Sequence, residues 1–195
     1  MDGIFATVGA AVAMFAGTNI DDLIVLTVLF LSARATGLPR PWQTWAGQYL
    51  GIATLVAASL LAALGLLIVP DQWAGLLGLV PLILGVRALI TAIRSRGATD
   101  EMPPVVAKGL LSVAGITIAN GADNIAVYTP VFRAIGPAST ALTIAVFAVG
   151  VAVWCVAGSW LGSHPTVVRL VERYGRWLMP AVFITIGLVI IIESV

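Results

Sequence analysis

Two short polar runs, both rich in asparagine and aspartate, interrupt long apolar stretches of the chain. They are residues 18–23 (TNIDDL) and residues 119–124 (ANGADN). Asn and Asp stand three residues apart in each run, as Asn19 with Asp22 and as Asn120 with Asp123, so each pair lies on one face of a helix. Carboxylates at membrane depth cost roughly 2.5–3.5 kcal/mol each on insertion scales, and they persist where they face a bundle interior or a watery cavity. The two runs therefore predict a functional site.

The side chains of these runs offer oxygen ligands, without histidine or cysteine nearby. The predicted metal ligands are Asp22, Asp123, Asp21, Asn19, Asn120 and Asn124, with Thr18 and Thr117 close by. Three carboxylates without a basic residue in either run repel one another, and a divalent cation or protons would relieve the repulsion. Oxygen ligands suit Mg²⁺, Ca²⁺ or Mn²⁺, whereas thiolates favour softer metals. Asp22 ranks above Asp21 because it has a counterpart in the second run, and one of these two neighbours is expected to bond Gln48.

The elements that must position these residues are membrane-spanning helices. Of the 195 residues, 60% are hydrophobic and 10% are charged, and the mean hydropathy is +1.07, whereas soluble domains are about 25% charged. Apolar stretches cover residues 3–32, 42–69, 73–93, 105–132, 138–162 and 177–192. Because a helix needs about 20 residues to cross a membrane, the first stretch is tilted or broken, and Gly17 offers a place to break. The composition predicts an all-α integral membrane protein with six transmembrane helices.

The six predicted helices divide into two halves of three. Because three is an odd number, the halves cross the membrane in opposite senses and form an inverted repeat, with helices one and four open to breaks near the midplane. We expect one transmembrane domain over residues 1–195, with repeat one at 1–96, a polar linker at 97–104 and repeat two at 105–195. The pair Val80 and Pro81 matches Met179 and Pro180 at nearly the same offset as the two polar runs.

The basic residues predict the orientation of the chain. Eight of them lie on one side of the predicted helices, namely Arg34, Arg40, Arg94, Arg96, Lys108, Arg169, Arg173 and Arg176. Arg133 lies on the other side, and Arg87 falls within the third helix. By the positive-inside rule the basic side is cytoplasmic, which puts both termini outside. The first segment lacks the positive region of a signal peptide and is expected to remain as a span.

Three sequence motifs resemble those of a known family of small exporters. They are AGTNIDDL at residues 16–23, GQYLG at residues 47–51 and ANGADNIAVY at residues 119–128, the last followed by Pro130 and Phe132. The family is the cadmium resistance transporters, a branch of the lysine-exporter superfamily of six-span proteins. The resemblance covers essentially the whole chain and implies efflux of divalent heavy metal, chiefly Cd²⁺, from a bacterial cytoplasm. Related branches export manganese, nickel, calcium or amino acids.

We interpret the chain as a secondary transporter of the bacterial plasma membrane, not as an enzyme. It would export a divalent cation, with Cd²⁺ following from the resemblance alone, in exchange for protons that displace the metal from the carboxylates. No cofactor beyond the transported ion and no nucleic-acid partner is expected, and membrane lipid surrounds the helices. The GxxxG spacing of Gly47 and Gly51 indicates close helix packing or a contact in a homo-oligomer.

Several alternatives stay open at this level. The same fold could export Mn²⁺, Zn²⁺, an organic cation or an amino acid. A membrane-embedded enzyme could use the aspartates for catalysis, although no histidine, serine or cysteine lies in the two runs. A scaffold without transport could use the asparagines as polar glue between helices. Ion binding by the aspartates separates the transporters from the scaffold.

Overall fold

The computed structural model describes residues 2–66, 76, 79–94, 107–162, 180–181 and 184–192. Its elements are α-helices, and no strand occurs within these ranges. This confirms the all-α prediction for the described part of the chain. The linker expected at 97–104 and Met179 of the expected repeat lie outside the described residues.

The helices of the described chain are long and apolar. In order they are α1 Asp2–Thr18, α2 Ile20–Thr36, α3 Pro41–Gly65, α4 Leu79–Arg94, α5 Leu110–Asn120, α6 Ala122–Ala134 and α7 Pro137–Leu161. Residues 184–192 are also helical. Both α3 and α7 have 25 residues and begin with proline, whose missing N–H is not needed in the first turn of a helix. These two could each cross a membrane, and the number rises to four if α1–α2 and α5–α6 each count as one bent span.

Two bent pairs of helices give the fold its centre. A single residue separates the helices of each pair, Asn19 between α1 and α2 and Gly121 between α5 and α6. The pairs bend by 58° and 67°. The first break falls at Asn19 and not at Gly17, which lies inside α1. Nδ2 of Asn19 donates to the Phe15 carbonyl at 2.9 Å, the kind of local bond by which asparagine competes with the backbone bonds of a helix.

Each bent pair packs against the long helix of the other half. α3 lies along α5 and α6, and α7 lies along α1 and α2. Glycines allow this approach: a Cβ at Gly47 would lie 2.6 Å from Cβ of Val113, and a Cβ at Gly158 would lie 2.9 Å from Cβ of Leu26. Because lipid supplies no hydrophobic drive between helices, small residues that bring backbones together favour their association. The close packing predicted for Gly47 and Gly51 is confirmed.

An aromatic cluster joins the two halves. The ring of Phe147 on α7 lies 4.7 Å from that of Tyr128 on α6 and 5.5 Å from that of Phe15 on α1, measured between centroids. Trp154 meets Phe15 edge to face at 5.4 Å. Such pairs add about 0.5–1.5 kcal/mol each beyond the area that they bury. The cluster therefore holds the two bent pairs in a defined relative position.

Candidate metal-binding site

The breaks place three aspartates in the first turns of two helices. Asp21 and Asp22 lie in the first turn of α2, and Asp123 lies in the first turn of α6. The backbone is similar at both breaks, with φ −120° and ψ 21° at Asn19 and φ −85° and ψ 19° at Gly121. A helix N-terminus has N–H groups without intrahelical partners and carries partial positive charge. Negative side chains are therefore favoured where the breaks place them.

The helix starts set a register between the two runs that differs by one residue from the expected one. Asp21 and Asp123 are each the second residue of their helix, whereas Asp22 and Asn124 are each the third. The Asn-x-x-Asp spacing pairs Asp22 with Asp123 instead. In the structure Asp21 is the counterpart of Asp123, which removes the reason for ranking Asp22 above Asp21. The spacing alone contains no information on where a broken helix restarts.

Asp21 and Asp123 lie at the N-termini of their own helices, and the Asp123 carboxylate bonds the backbone there. Oδ1 of Asp123 accepts a hydrogen bond from the backbone N–H of Asn124 at 2.9 Å. Asp21 lies in the first turn of α2, and both aspartates are partly buried. A negative side chain at a helix N-terminus is stabilised by about 0.3–1 kcal/mol. This placement offsets part of the repulsion among the three aspartates.

Asp22 is buried and is held by a side chain from another helix. Nε2 of Gln48 on α3 donates to Oδ2 of Asp22 at 2.7 Å, which confirms the bond expected between Gln48 and one of the neighbouring aspartates. Asp22 on α2 is therefore tied to α3.

The three carboxylates lie close enough to interact electrostatically. Asp123 interacts with both Asp21 and Asp22, and these two interact with each other. Within the described ranges, no three side chains of the His, Cys, Asp and Glu types are grouped so that they could hold a metal ion. The carboxylates thus share one region without converging on one point. Like charges that repel in a largely buried region are expected to take such an arrangement.

A second group of predicted residues forms a neutral network around the Tyr128 hydroxyl. Tyr128 is fully buried. Its hydroxyl lies 2.9 Å from Oγ1 of Thr18 and accepts a hydrogen bond from Nδ2 of Asn19 at 2.9 Å. The side-chain amide of Asn124 lies 3.0 Å from the same hydroxyl and 2.9 Å from Oδ1 of Asn19. Two of the predicted ligands, Asn19 and Asn124, therefore contact each other across the two breaks.

Two residues of the site are absent from the sequence prediction. Tyr128 follows Asn124 by four residues, which places both on one face of α6, and this spacing is the signal that could have indicated it. Nε1 of Trp154 donates to the carbonyl oxygen of Asn19 at 2.6 Å. A tryptophan far from the ends of an apolar helix lies outside the interfacial positions that this residue favours, and a polar partner for its N–H is then expected.

Comparison with known proteins identifies one matching family. A family model described as cadmium resistance transporter matches residues 15–195, a range that includes both breaks and every residue of the site. No curated protein and no solved structure gives a significant match. The family match covers well over half of the 195 residues.

Proposed function

Because the chain belongs to the cadmium resistance transporter family, we propose that it exports divalent heavy-metal cations, chiefly Cd²⁺, from a bacterial cytoplasm and so confers cadmium resistance. The family is one of transporters and not of enzymes. The observation that supports the proposal is that three aspartates at the starts of two helices share one region of an otherwise apolar helix bundle. A cation is the substrate that such a concentration of negative charge attracts.

The proposed binding site centres on the carboxylates of Asp21, Asp22 and Asp123, with Asn120 beside them. Two positive charges would neutralise most of the repulsion among the three carboxylates and draw them together around the ion. Asn19 and Asn124 complete the proposed ligand set once their amides leave the network around Tyr128. The oxygen ligands themselves favour Mn²⁺ over softer ions, so the choice of Cd²⁺ rests on the family and Mn²⁺ is the second candidate cargo.

The proposed architecture has six spans in an inverted repeat. The first half would comprise α1–α2, α3 and α4, and the second half α5–α6, α7 and the last helix. The two single-residue breaks and the packing of each bent pair on the long helix of the other half support this arrangement. Secondary transporters with inverted repeats bind substrate where broken helices meet between the halves. The proposed location is the plasma membrane, with both termini outside.

Proton antiport is the proposed energy source. Protons entering from outside would neutralise the carboxylates and displace the metal, and metal arriving from the cytoplasm would displace the protons. In inverted membrane vesicles an exporter moves Cd²⁺ into the lumen, so an acidic lumen should drive uptake and a protonophore should abolish it. Uptake that ignores an imposed pH gradient would contradict antiport while leaving export intact.

The metal content of bacterial cells tests the proposed export. Cells expressing the wild type, or a variant with Asp22→Asn and Asp123→Asn, are exposed in turn to cadmium, manganese and zinc. We expect lower cadmium content with the wild type and loss of this effect in the double variant at equal membrane expression. Asp21→Asn should impair export as strongly as Asp123→Asn, because the two carboxylates occupy equivalent positions at the helix starts.

Each of the other possible results of this experiment leads to a different conclusion about the transported substrate. Lower manganese or zinc content, in place of lower cadmium content, would identify that metal as the cargo. The proposed binding site would stay the same. No difference for any metal would favour an organic cation or an amino acid as the substrate of the same fold. Thr54→Val serves as the control for nonspecific effects, because Thr54 is exposed and its hydroxyl bonds the Leu50 carbonyl of its own helix.

A further inference from the structure

A continuous chain of hydrogen bonds reaches Asp22 from the second half of the protein. The hydroxyl of Thr117 on α5 donates to Oε1 of Gln48 at 2.6 Å, and Nε2 of Gln48 donates to Oδ2 of Asp22 at 2.7 Å. All three side chains are buried, with exposed fractions of 2% for Thr117, 2% for Gln48 and 4% for Asp22. Thr117 is therefore linked to Asp22 through Gln48.

Two glycines of α3 set the position of this chain of bonds. Gly47 and Gly51 lie one residue before and three residues after Gln48. A Cβ at Gly47 would lie 2.7 Å from the carbonyl oxygen of Leu110, and a Cβ at Gly51 would lie 2.6 Å from Cβ of Thr117. The backbone of α3 therefore lies directly against α5 on both sides of Gln48. This close approach brings the short threonine side chain within reach of the Gln48 amide.

The Asp22 carboxylate, which can only accept hydrogen bonds, faces the Nε2 end of the Gln48 amide, and the Thr117 hydroxyl holds the Oε1 end. A glutamine amide has a donor end and an acceptor end of nearly the same shape. While Thr117 donates to Oε1, the Nε2 end faces Asp22 and donates to its carboxylate. A hydrogen bond to an ionised group is roughly twice as strong as a neutral one. Without the hydroxyl, the buried Oε1 would lose the donor that holds the amide in place.

We propose that Gln48 and Thr117 are positioning residues for metal binding, which hold the Asp22 carboxylate in the orientation that the cation requires. This inference rests on the proposed function, because it assumes that the cation binds Asp22. Gln48 acts on the carboxylate directly, and Thr117 acts by holding the Gln48 amide in position against it. Both residues control the affinity for metal and not the maximal rate of transport.

The test measures initial rates of Cd²⁺ uptake against Cd²⁺ concentration in inverted membrane vesicles. Thr117→Val keeps the shape of the side chain and removes the hydroxyl, whereas Thr117→Ser keeps the hydroxyl. We expect Thr117→Val to raise the KM for Cd²⁺ by about five- to tenfold, the effect of losing about one hydrogen bond, with little change in maximal rate. Thr117→Ser should restore the wild-type KM. Thr54→Val, the same chemical change at an exposed position of α3, should leave the KM unchanged.

Two results would overturn the inference. One is a KM for Thr117→Val equal to that of Thr54→Val at the same membrane expression. The other is a full further increase in KM when Thr117→Val is added to Gln48→Leu, because Thr117 is expected to act only through the Gln48 amide. If Thr117→Val does not reach the membrane, Thr117→Ala removes the same hydroxyl with less bulk and is judged by the same criteria.

The same uptake experiment distinguishes failure of the proposed metal export from failure of the positioning role. Wild-type vesicles that take up none of Cd²⁺, Mn²⁺ and Zn²⁺ would refute metal export, and the positioning role would fall with it. Wild-type uptake that is insensitive to the loss of the Thr117 hydroxyl would refute only the positioning role. If the wild type carries Mn²⁺ or Zn²⁺ in place of Cd²⁺, the same KM comparison is made with that metal.

Discussion

Removal of the Tyr128 hydroxyl should weaken the contact between the two helix breaks and leave the aromatic cluster intact. The hydroxyl lies within 3.0 Å of polar side-chain atoms of Thr18, Asn19 and Asn124. Phenylalanine keeps the ring, whose centroid lies 4.7 Å from that of Phe147. The substitution Tyr128→Phe therefore isolates the contribution of the hydrogen bonds from that of packing.

The structure limits the expected loss of stability to an intermediate value. The Thr18 hydroxyl lies 3.0 Å from the Met14 carbonyl, and Nδ2 of Asn19 also donates to the Phe15 carbonyl at 2.9 Å, so both keep a partner in the variant. One intramolecular hydrogen bond contributes about 0.5–1.5 kcal/mol net, and bonds between helices in a membrane average about 0.6 kcal/mol. The variant loses three contacts of the hydroxyl, and the remaining partners compensate for part of this loss. We therefore expect the free energy of unfolding to fall by about 1.5–3 kcal/mol.

Unfolding by SDS in mixed micelles, followed by tryptophan fluorescence, measures this loss. Tyr49→Phe is the matched control, because Tyr49 is 38% exposed and its hydroxyl donates to the Ala148 carbonyl at 2.9 Å. We expect this control to lose less than about 1 kcal/mol. A Tyr128→Phe protein that is as stable as the Tyr49→Phe protein would refute the role given to the hydroxyl.

Three further substitutions test the packing around the breaks. Gly51→Leu should prevent α3 from approaching α5, because even a Cβ would lie 2.6 Å from Cβ of Thr117. We expect the free energy of unfolding to fall by about 3 kcal/mol or more. The yield of folded protein in size-exclusion chromatography should fall with it. Gly121→Ala should push its new methyl group against the Leu55 side chain, and in thermal unfolding its cost should be less than additive with that of Leu55→Ala. Trp154→Phe should remove the indole N–H that bonds the carbonyl at the first break and cost about 1 kcal/mol in SDS unfolding.

The controls for these substitutions come from the same chain. Gly115→Leu should leave the folded yield unchanged, since nothing lies within 4 Å of a Cβ at that position. A normal yield for Gly51→Leu would show that the two helices do not need their close approach. Additive losses for Gly121→Ala and Leu55→Ala would mean that the two side chains do not compete for space. If Trp154→Phe is as stable as the wild type, the indole N–H does not stabilise the first break.

The class of the protein and the approximate position of its candidate site follow from the sequence by itself. A charged fraction of 10% and long apolar stretches predict membrane helices, because the cost of a charge in lipid depends on residue type and depth. That cost also singles out Asp21, Asp22 and Asp123 as residues that need a special environment. The length of the first apolar stretch predicts that its helix is tilted or broken, although the break lies at Asn19 and not at Gly17.

The tertiary structure alone decided how these residues are arranged. The first helix restarts at Ile20 and the second at Ala122, and this difference of one residue pairs Asp21, not Asp22, with Asp123. Where a helix restarts depends on bonds such as that from Trp154 on α7 to the Asn19 carbonyl, which join residues far apart in the chain. Side chains so distant in sequence meet only after the bent pairs have packed against the opposite long helices, so no spacing within either polar run could have specified their contacts.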